Sequence, residues 1–163
     1  MKKKDNKMFL EDKFLAFAHR GGNEFAPENS FKAFESAVNI GYKYLETDVH
    51  LTKDGFLIAF HDDSLDRVTN KSGFIRDLTL NEIKKAKIGG SEEIPLLSEL
   101  LISFPNCFFN IDCKVDETVK PLINLLKNSE FLNRVCIGSF SQKRINFIRS
   151  SLGNDIKTSM GPA

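Results

Sequence analysis

Glu46 and Asp48 alternate with Leu45, Thr47 and Val49 in a stretch, residues 44–63, that reads as two strands joined at Lys53-Asp54-Gly55. Side chains alternate across a strand, so the two carboxylates share one face. On the second strand Ala59 and His61 share a face, while Ile58 and Phe60 take the other. Asn110, Asp112 and Lys114 line one face of a later apolar strand, with Phe109, Ile111 and Cys113 opposite, and His19-Arg20 ends the apolar run from Phe14 to Ala18. Soluble domains rarely bury carboxylates unless these are paired or bind a metal. Glu46, Asp48 and Asp112 form an all-oxygen set suited to a hard divalent cation, Mg²⁺ or Ca²⁺. His19 and His61, with an ordinary pKa of about 6.5, can act as general acid and general base. Arg20 and Lys114 are cationic donors suited to a phosphate. Such a set suits phosphodiester cleavage: the cation neutralises the non-bridging oxygens, one imidazole activates the nucleophile, and the other protonates the leaving alkoxide.

Each residue also has a purely structural explanation. For one strand alone, an Asp112–Lys114 core salt bridge accounts for the pattern as well as function does. Ionisable residues at the ends of four strands weaken that explanation. His50 shares parity with Glu46 and Asp48 but receives no function. Asp62 and Asp63 read as loop or supporting groups, Arg67 as an anchor of the loop after His61 through backbone carbonyls, and Gly21-Gly22 as a tight turn.

The elements that must hold these residues alternate. The apolar run 14–18 has the pattern of a strand buried on both faces. A helix follows Asn29-Ser30, either of which can cap it, with Phe31, Phe34 and Val38 at helical spacing and Gly41 as its stop. After the strand pair, residues 64–78 read as loop. Thr79-Leu80-Asn81-Glu82 is a capping box, and a further helix opens at Ile94-Pro95-Leu96-Leu97. Then come a strand over 107–114, a helix around 119–126 that places Pro121 in its first turn, a strand over 134–138, a helix capped by Ser141, and the start of a strand at 156–160. Strands alternating with helices predict a parallel α/β sheet or a barrel, and polar residues at several strand ends favour the barrel. The fold expected is α/β, a (β/α)8 TIM-barrel type, incomplete, with about five strands and the start of a sixth. A full barrel needs about 250 residues, so this chain of 163 is expected to be truncated. Residues 1–13 read as a polar lead-in and 14–163 as one domain.

Hydrophobic residues at 41% and charged residues at 28% place the chain among globular proteins. A net charge of +1 gives no electrostatic argument for nucleic acid or an anionic membrane. No stretch reaches the length of a membrane span, and the basic start at Lys2-Lys3-Lys4 is followed by charged residues rather than the apolar core of a signal peptide. Cys107, Cys113 and Cys136 lack metal-binding spacing and read as reduced, buried hydrophobes, which together points to a cytoplasmic protein.

The motifs carry a resemblance. His19-Arg20-Gly21 with Pro27-Glu28-Asn29, then Glu46-x-Asp48, Thr52-x-Asp54-Gly55, His61-Asp62 and Leu65-x-Arg67, resemble the glycerophosphodiester phosphodiesterase family. Ser72-Gly73, Leu78-Thr79, Ile94-Pro95-Leu96-Leu97 and Asn110-Ile111-Asp112-x-Lys114 continue the pattern in order, over roughly residues 15–140. The resemblance implies a metal-dependent barrel enzyme that hydrolyses small glycerophosphodiesters to glycerol 3-phosphate and an alcohol. It implies His19 and His61 as the acid–base pair, Glu46, Asp48 and Asp112 as metal ligands, and Arg20 and Lys114 as phosphate contacts. It further implies that the substrate's own glycerol hydroxyl attacks first, giving a cyclic phosphate that water opens. Asp112 departs from the family's usual Glu, shortening the reach by about 1.5 Å, and the family's last strands with their tryptophan have no counterpart. Two rivals are a related two-histidine barrel phospholipase and a non-catalytic fragment that keeps the ligands and is only marginally stable.

Overall fold

The computed structural model describes residues 15–127, 129–153 and 156–160; the polar lead-in over 1–13 lies outside them. In chain order the elements are β1 (Phe17–Ala18), α1 (Phe31–Asn39), β2 (Tyr44–Leu51), β3 (Leu57–Ala59), α2 (Leu80–Ile83), α3 (Leu97–Ser103), β4 (Phe108–Cys113), α4 (Val119–Leu126), β5 (Val135–Ser139), α5 (Gln142–Leu152) and β6 (Lys157–Met160). The sheet runs β1-β2-β4-β5-β6, with every neighbouring pair parallel. β3 hangs antiparallel on the C-terminal half of β2. This is the α/β architecture of a (β/α)8-type barrel, incomplete among the described residues, with five consecutive parallel staves.

Helices cover the outer face of the staves. Leu45, Val49, Phe109, Ile111 and Ile137 pack there against Phe34 and Ala37 of α1, Leu97 and Leu100 of α3, Leu122 and Leu126 of α4, and Ile148 of α5. In β2, β4 and β5 these are the odd-numbered positions, so the even-numbered ones face inward. At the N-terminal end of the staves the inner face is apolar, with Tyr44 stacked on Phe108 at a ring separation of 5.1 Å and Cys136 alongside. The polar residues therefore lie in the layers above, toward the C-terminal ends.

The caps follow the sequence. Ser30 accepts from the Ala33 amide to start α1, Thr79 and Glu82 form the capping box of α2, and Ser141 caps α5. Pro121 sits in the first turn of α4, and the three cysteines are free and buried. Two expectations need correction. β1 is shorter than the apolar run: of the described residues 15–18 only Phe17–Ala18 pair as strand. The stretch after β3 is no plain loop: Ile58, Phe60, Leu65, Ile75, Ile83, Ala86, Ile88 and Ile94 form a second core under it. Apart from the capping box that announces α2, its apolar residues have no regular spacing, so only tertiary packing reveals the lobe.

Arg134, just before β5, secures the joint between α3 and β4. Its guanidinium donates to the carbonyls of Leu101 (2.8 Å), Phe104 (3.1 Å) and Cys107 (2.7 Å). The first is an orphan carbonyl at the end of α3. Removing charged donors from partly buried carbonyls costs about 2 kcal/mol, so Arg134→Ala is expected to lower Tm by about 4–8 °C in calorimetry. An unchanged Tm would contradict this role.

Candidate active site

Parallel pairing sets Glu46 opposite Asn110, and Asp48 opposite Asp112. Like charges directly across neighbouring strands repel, and here a cation stands between them. Lys114 Nζ lies 2.7 Å from Asp48 Oδ1 and 2.7 Å from Asp112 Oδ2. Burial opposes its charge, but the two carboxylates outweigh burial and raise the Lys114 pKa. Arg20 approaches from the other side, with Nε 3.6 Å from Asp48 Oδ2. Its backbone, at φ 53°, turns its amide onto Glu46 Oε2 at 2.9 Å. That turn depends on Gly21, where φ is +77° and an added Cβ would stand 2.9 Å from the Phe34 amide nitrogen.

His19 Nε2 lies 3.9 Å from Glu46 Oε2. His61 arrives by a route that parity did not foresee. β3 is antiparallel, so His61 does not end a parallel stave; the chain turns at Gly55, where φ is +88°, and returns along β2. His61 thereby reaches the cavity lined by His19, Arg20, Glu46, Asp48, Asp112 and Lys114. That cavity, of about 460 Å³, brings together all seven residues singled out from the sequence. Asn110, Ser139, Phe140 and Ser159 also line it. Gly138 keeps its floor open, since a Cβ there would stand 3.3 Å from Ser159 Oγ.

One sequence reading needs correction, and the groups around it form a network. Arg67 does not anchor backbone carbonyls; it forks onto the carboxylates of Asp62 and Glu28. Asp62 holds His61 Nδ1 at 2.6 Å, and Arg67 and His61 together press the Asp62 pKa down to about 2. Glu28, in the Pro27-Glu28-Asn29 motif but without an assigned part, accepts from both Arg67 and Arg20, and its pKa is lowered chiefly by Arg67. His50 is buried, and its ring Nε2 lies 3.0 Å from the His61 carbonyl, so it steadies the backbone of the residue that lines the cavity. The adjacent His61-Asp62 and the unassigned Glu28 of Pro27-Glu28-Asn29 were the available signals for this network.

The oxygen donors suit a hard cation in kind. Asp48 Oδ2 and Asp112 Oδ1 are buried without a hydrogen-bond partner, which leaves two carboxylate oxygens ready for one. Among the described residues no three His, Cys, Asp or Glu side chains already converge as a metal cage, so closure on an ion requires Lys114 to yield part of its hold.

Residues 19–153 match the Glycerophosphoryl diester phosphodiesterase family. The chain belongs to that family. A probable glycerophosphodiester phosphodiesterase 2 of Mycobacterium tuberculosis is 39% identical over 131 residues, which are 80% of this chain and 50% of the relative. A glycerophosphodiester phosphodiesterase of Caldanaerobacter subterraneus subsp. tengcongensis is 38% identical over 84% of this chain and 62% of its own length. The solved structure of an Oleispira antarctica phosphodiesterase in complex with the product sn-glycerol-3-phosphate superposes with a TM-score of 0.78 at 28% identity, covering 89% of this chain and 64% of that one. This glycerophosphodiester phosphodiesterase family chain thus spans between half and two thirds of the length of these relatives. Among the described residues no helix is long and apolar enough to cross a membrane.

Glu46 carries the site's electrostatic cost. Burial first, and the Asp48 charge second, push its carboxyl up to about 7. A raised carboxyl pKa means that folding favours the protonated form. Its stabilisation is complete below about 4.5, the ordinary value, and is lost as pH rises through about 7. The loss amounts to about 3 kcal/mol. With chelator present, wild-type Tm is expected to fall between pH 5 and 8 relative to Glu46→Gln, which keeps an acceptor for the Arg20 amide. Parallel Tm–pH curves for the two proteins would contradict the assignment.

Proposed function

We propose that this chain carries the catalytic centre of a divalent-metal-dependent hydrolase that cleaves glycerophosphodiesters to glycerol 3-phosphate and an alcohol. One observation carries the reading: two histidines, three carboxylates, an arginine and a lysine line a single cavity at the C-terminal rim of a parallel sheet. The family membership agrees with it, as does the likeness to a phosphodiesterase holding sn-glycerol-3-phosphate.

Glu46, Asp48 and Asp112 are the residues that would hold Mg²⁺ or Ca²⁺. When bound, the cation supplies charge neutralisation at the non-bridging phosphate oxygens. Arg20 and Lys114 supply further positive charge at the phosphate, and both start from carboxylate partners, so substrate exchanges one anion for another. One imidazole removes the proton of the attacking hydroxyl as its oxygen bonds to phosphorus. The bond from phosphorus to the alcohol oxygen breaks, and the other imidazole gives that oxygen its proton. Across the full hydrolysis one water is consumed and both histidines return to their starting states.

The test is glycerol 3-phosphate release from glycerophosphocholine in Mg²⁺, Ca²⁺ or chelator, with His61→Ala as comparison. Release that needs the cation and falls by about 10²–10⁴-fold in His61→Ala is expected. Equal release in chelator, or in the variant, would overturn the proposal. Preference for intact phospholipid over its deacylated form would favour the phospholipase rival.

A further inference from the structure

Arg67 touches no residue of the carboxylate set, yet it joins the two halves of the site. Its Nε donates to Asp62 Oδ2 at 2.5 Å and its Nη2 to Asp62 Oδ1 at 3.0 Å. The same Nη2 donates to Glu28 Oε1 at 2.7 Å, and Nη1 to Glu28 Oε2 at 3.2 Å. One planar guanidinium thus meets both oxygens of each of two carboxylates, a fixed four-contact fork that a lysine's ammonium cannot reproduce. Beyond Asp62 the row reaches His61 Nδ1 at 2.6 Å. Beyond Glu28 it reaches Arg20 Nη1 at 3.0 Å.

The two ends belong to different parts of the chain. Asp62 and Arg67 lie on the lobe that follows β3, whereas Glu28 lies on the loop between β1 and α1, 39 residues away in sequence from Arg67. The loop that carries Glu28 is itself fixed: the Asn29 amide donates to the Arg20 carbonyl at 2.8 Å, and Asn29 Oδ1 accepts from Thr47 Oγ1 on β2 at 2.8 Å. Arg67 therefore transmits the position of a β2-anchored loop to the ring of His61. An ionised carboxylate has no hydrogen to give, so the hydrogen of the Asp62–His61 bond resides on Nδ1. That leaves Nε2 as the nitrogen free to exchange protons on a ring that lines the cavity.

We infer that Arg67 is a positioning residue: its fork onto Asp62 and Glu28 holds neutral His61 in the Nδ1–H tautomer and keeps Arg20 in place across the rim. This builds on the phosphodiesterase reading, because that reading gives His61 and Arg20 their work, but the tautomer can be read without turnover. The ring nitrogens of the full chain are observed by ¹H–¹⁵N correlation at pH 8, with His61 assigned by its loss in His61→Ala. Wild type is expected to show the hydrogen on Nδ1, and Asp62→Ala to show loss of that preference. Arg67→Met and Arg67→Lys are expected to shift His61 toward the Asp62→Ala pattern. Glu28→Gln, which touches neither Asp62 nor His61, is expected to shift it in the same direction.

Retention of the wild-type tautomer in folded Arg67→Met, or in Arg67→Lys should the first variant not fold, would overturn the inference. So would a shift in the Arg67 variants with none in Glu28→Gln, because Arg67 and Asp62 would then hold the ring without the link to Glu28. In turnover, Arg67→Lys is expected to lose about ten- to a hundredfold in kcat with a smaller change in KM. An unchanged kcat alongside a shifted tautomer would equally overturn the positioning role.

Discussion

Asp48 and Asp112 face each other across two hydrogen-bonded parallel strands, and much of the site is arranged around that repulsion. Parallel pairing cannot relieve it by slipping one residue, because a slip would send every outer-face hydrophobe inward and lose the helix-packed core. The charge must instead be balanced where it stands. Lys114 does so from β4's own continuation, two residues beyond Asp112 and on the same face, and Arg20 does so from the turn after β1. Glu46, one layer lower, accepts the Arg20 backbone amide and, among the described residues, has no Lys or Arg side chain paired with it, and burial with the Asp48 charge raises its pKa. Such a carboxylate cluster is costly without counter-charge, and a bound cation would relieve it.

The rest of the fold reads as support for that rim. Helices cover only the outer face of the staves, which leaves inward positions to chemistry. β3 reverses direction to bring His61 back beside β2, and the lobe beyond it needs its own small core to hold the return path. From that lobe Arg67 reaches to Glu28, so the two histidine-bearing segments form one charged network, not two independent loops.

Much of this was legible in the chain. Alternation placed Glu46 with Asp48, and Asn110 with Asp112 and Lys114, because a strand leaves its residues no other choice of face. Caps at Ser30, Thr79 and Ser141 were equally local matters, set by a side chain and an amide three residues away. What escaped was long-range. The turn at Lys53-Asp54-Gly55 marked the reversal into β3, but not that this strand leaves the row of parallel staves. The lobe core is assembled from residues spread between Ile58 and Ile94 with no single period. Glu28 and Arg67 meet across 39 residues of sequence, and only the folded loop shows that a guanidinium expected on carbonyls has two carboxylates within reach.

The central claim is that Glu46, Asp48 and Asp112 make one divalent-cation centre. Its most direct test is a titration of the full, ¹⁵N-labelled chain with substoichiometric Mn²⁺, a paramagnetic stand-in for Mg²⁺ or Ca²⁺. Broadening confined to amides around residues 46–48 and 112–114, competed away by Mg²⁺ or Ca²⁺ and lost in Asp48→Asn, is the result predicted. Broadening centred elsewhere, or unaltered in Asp48→Asn, would contradict the account.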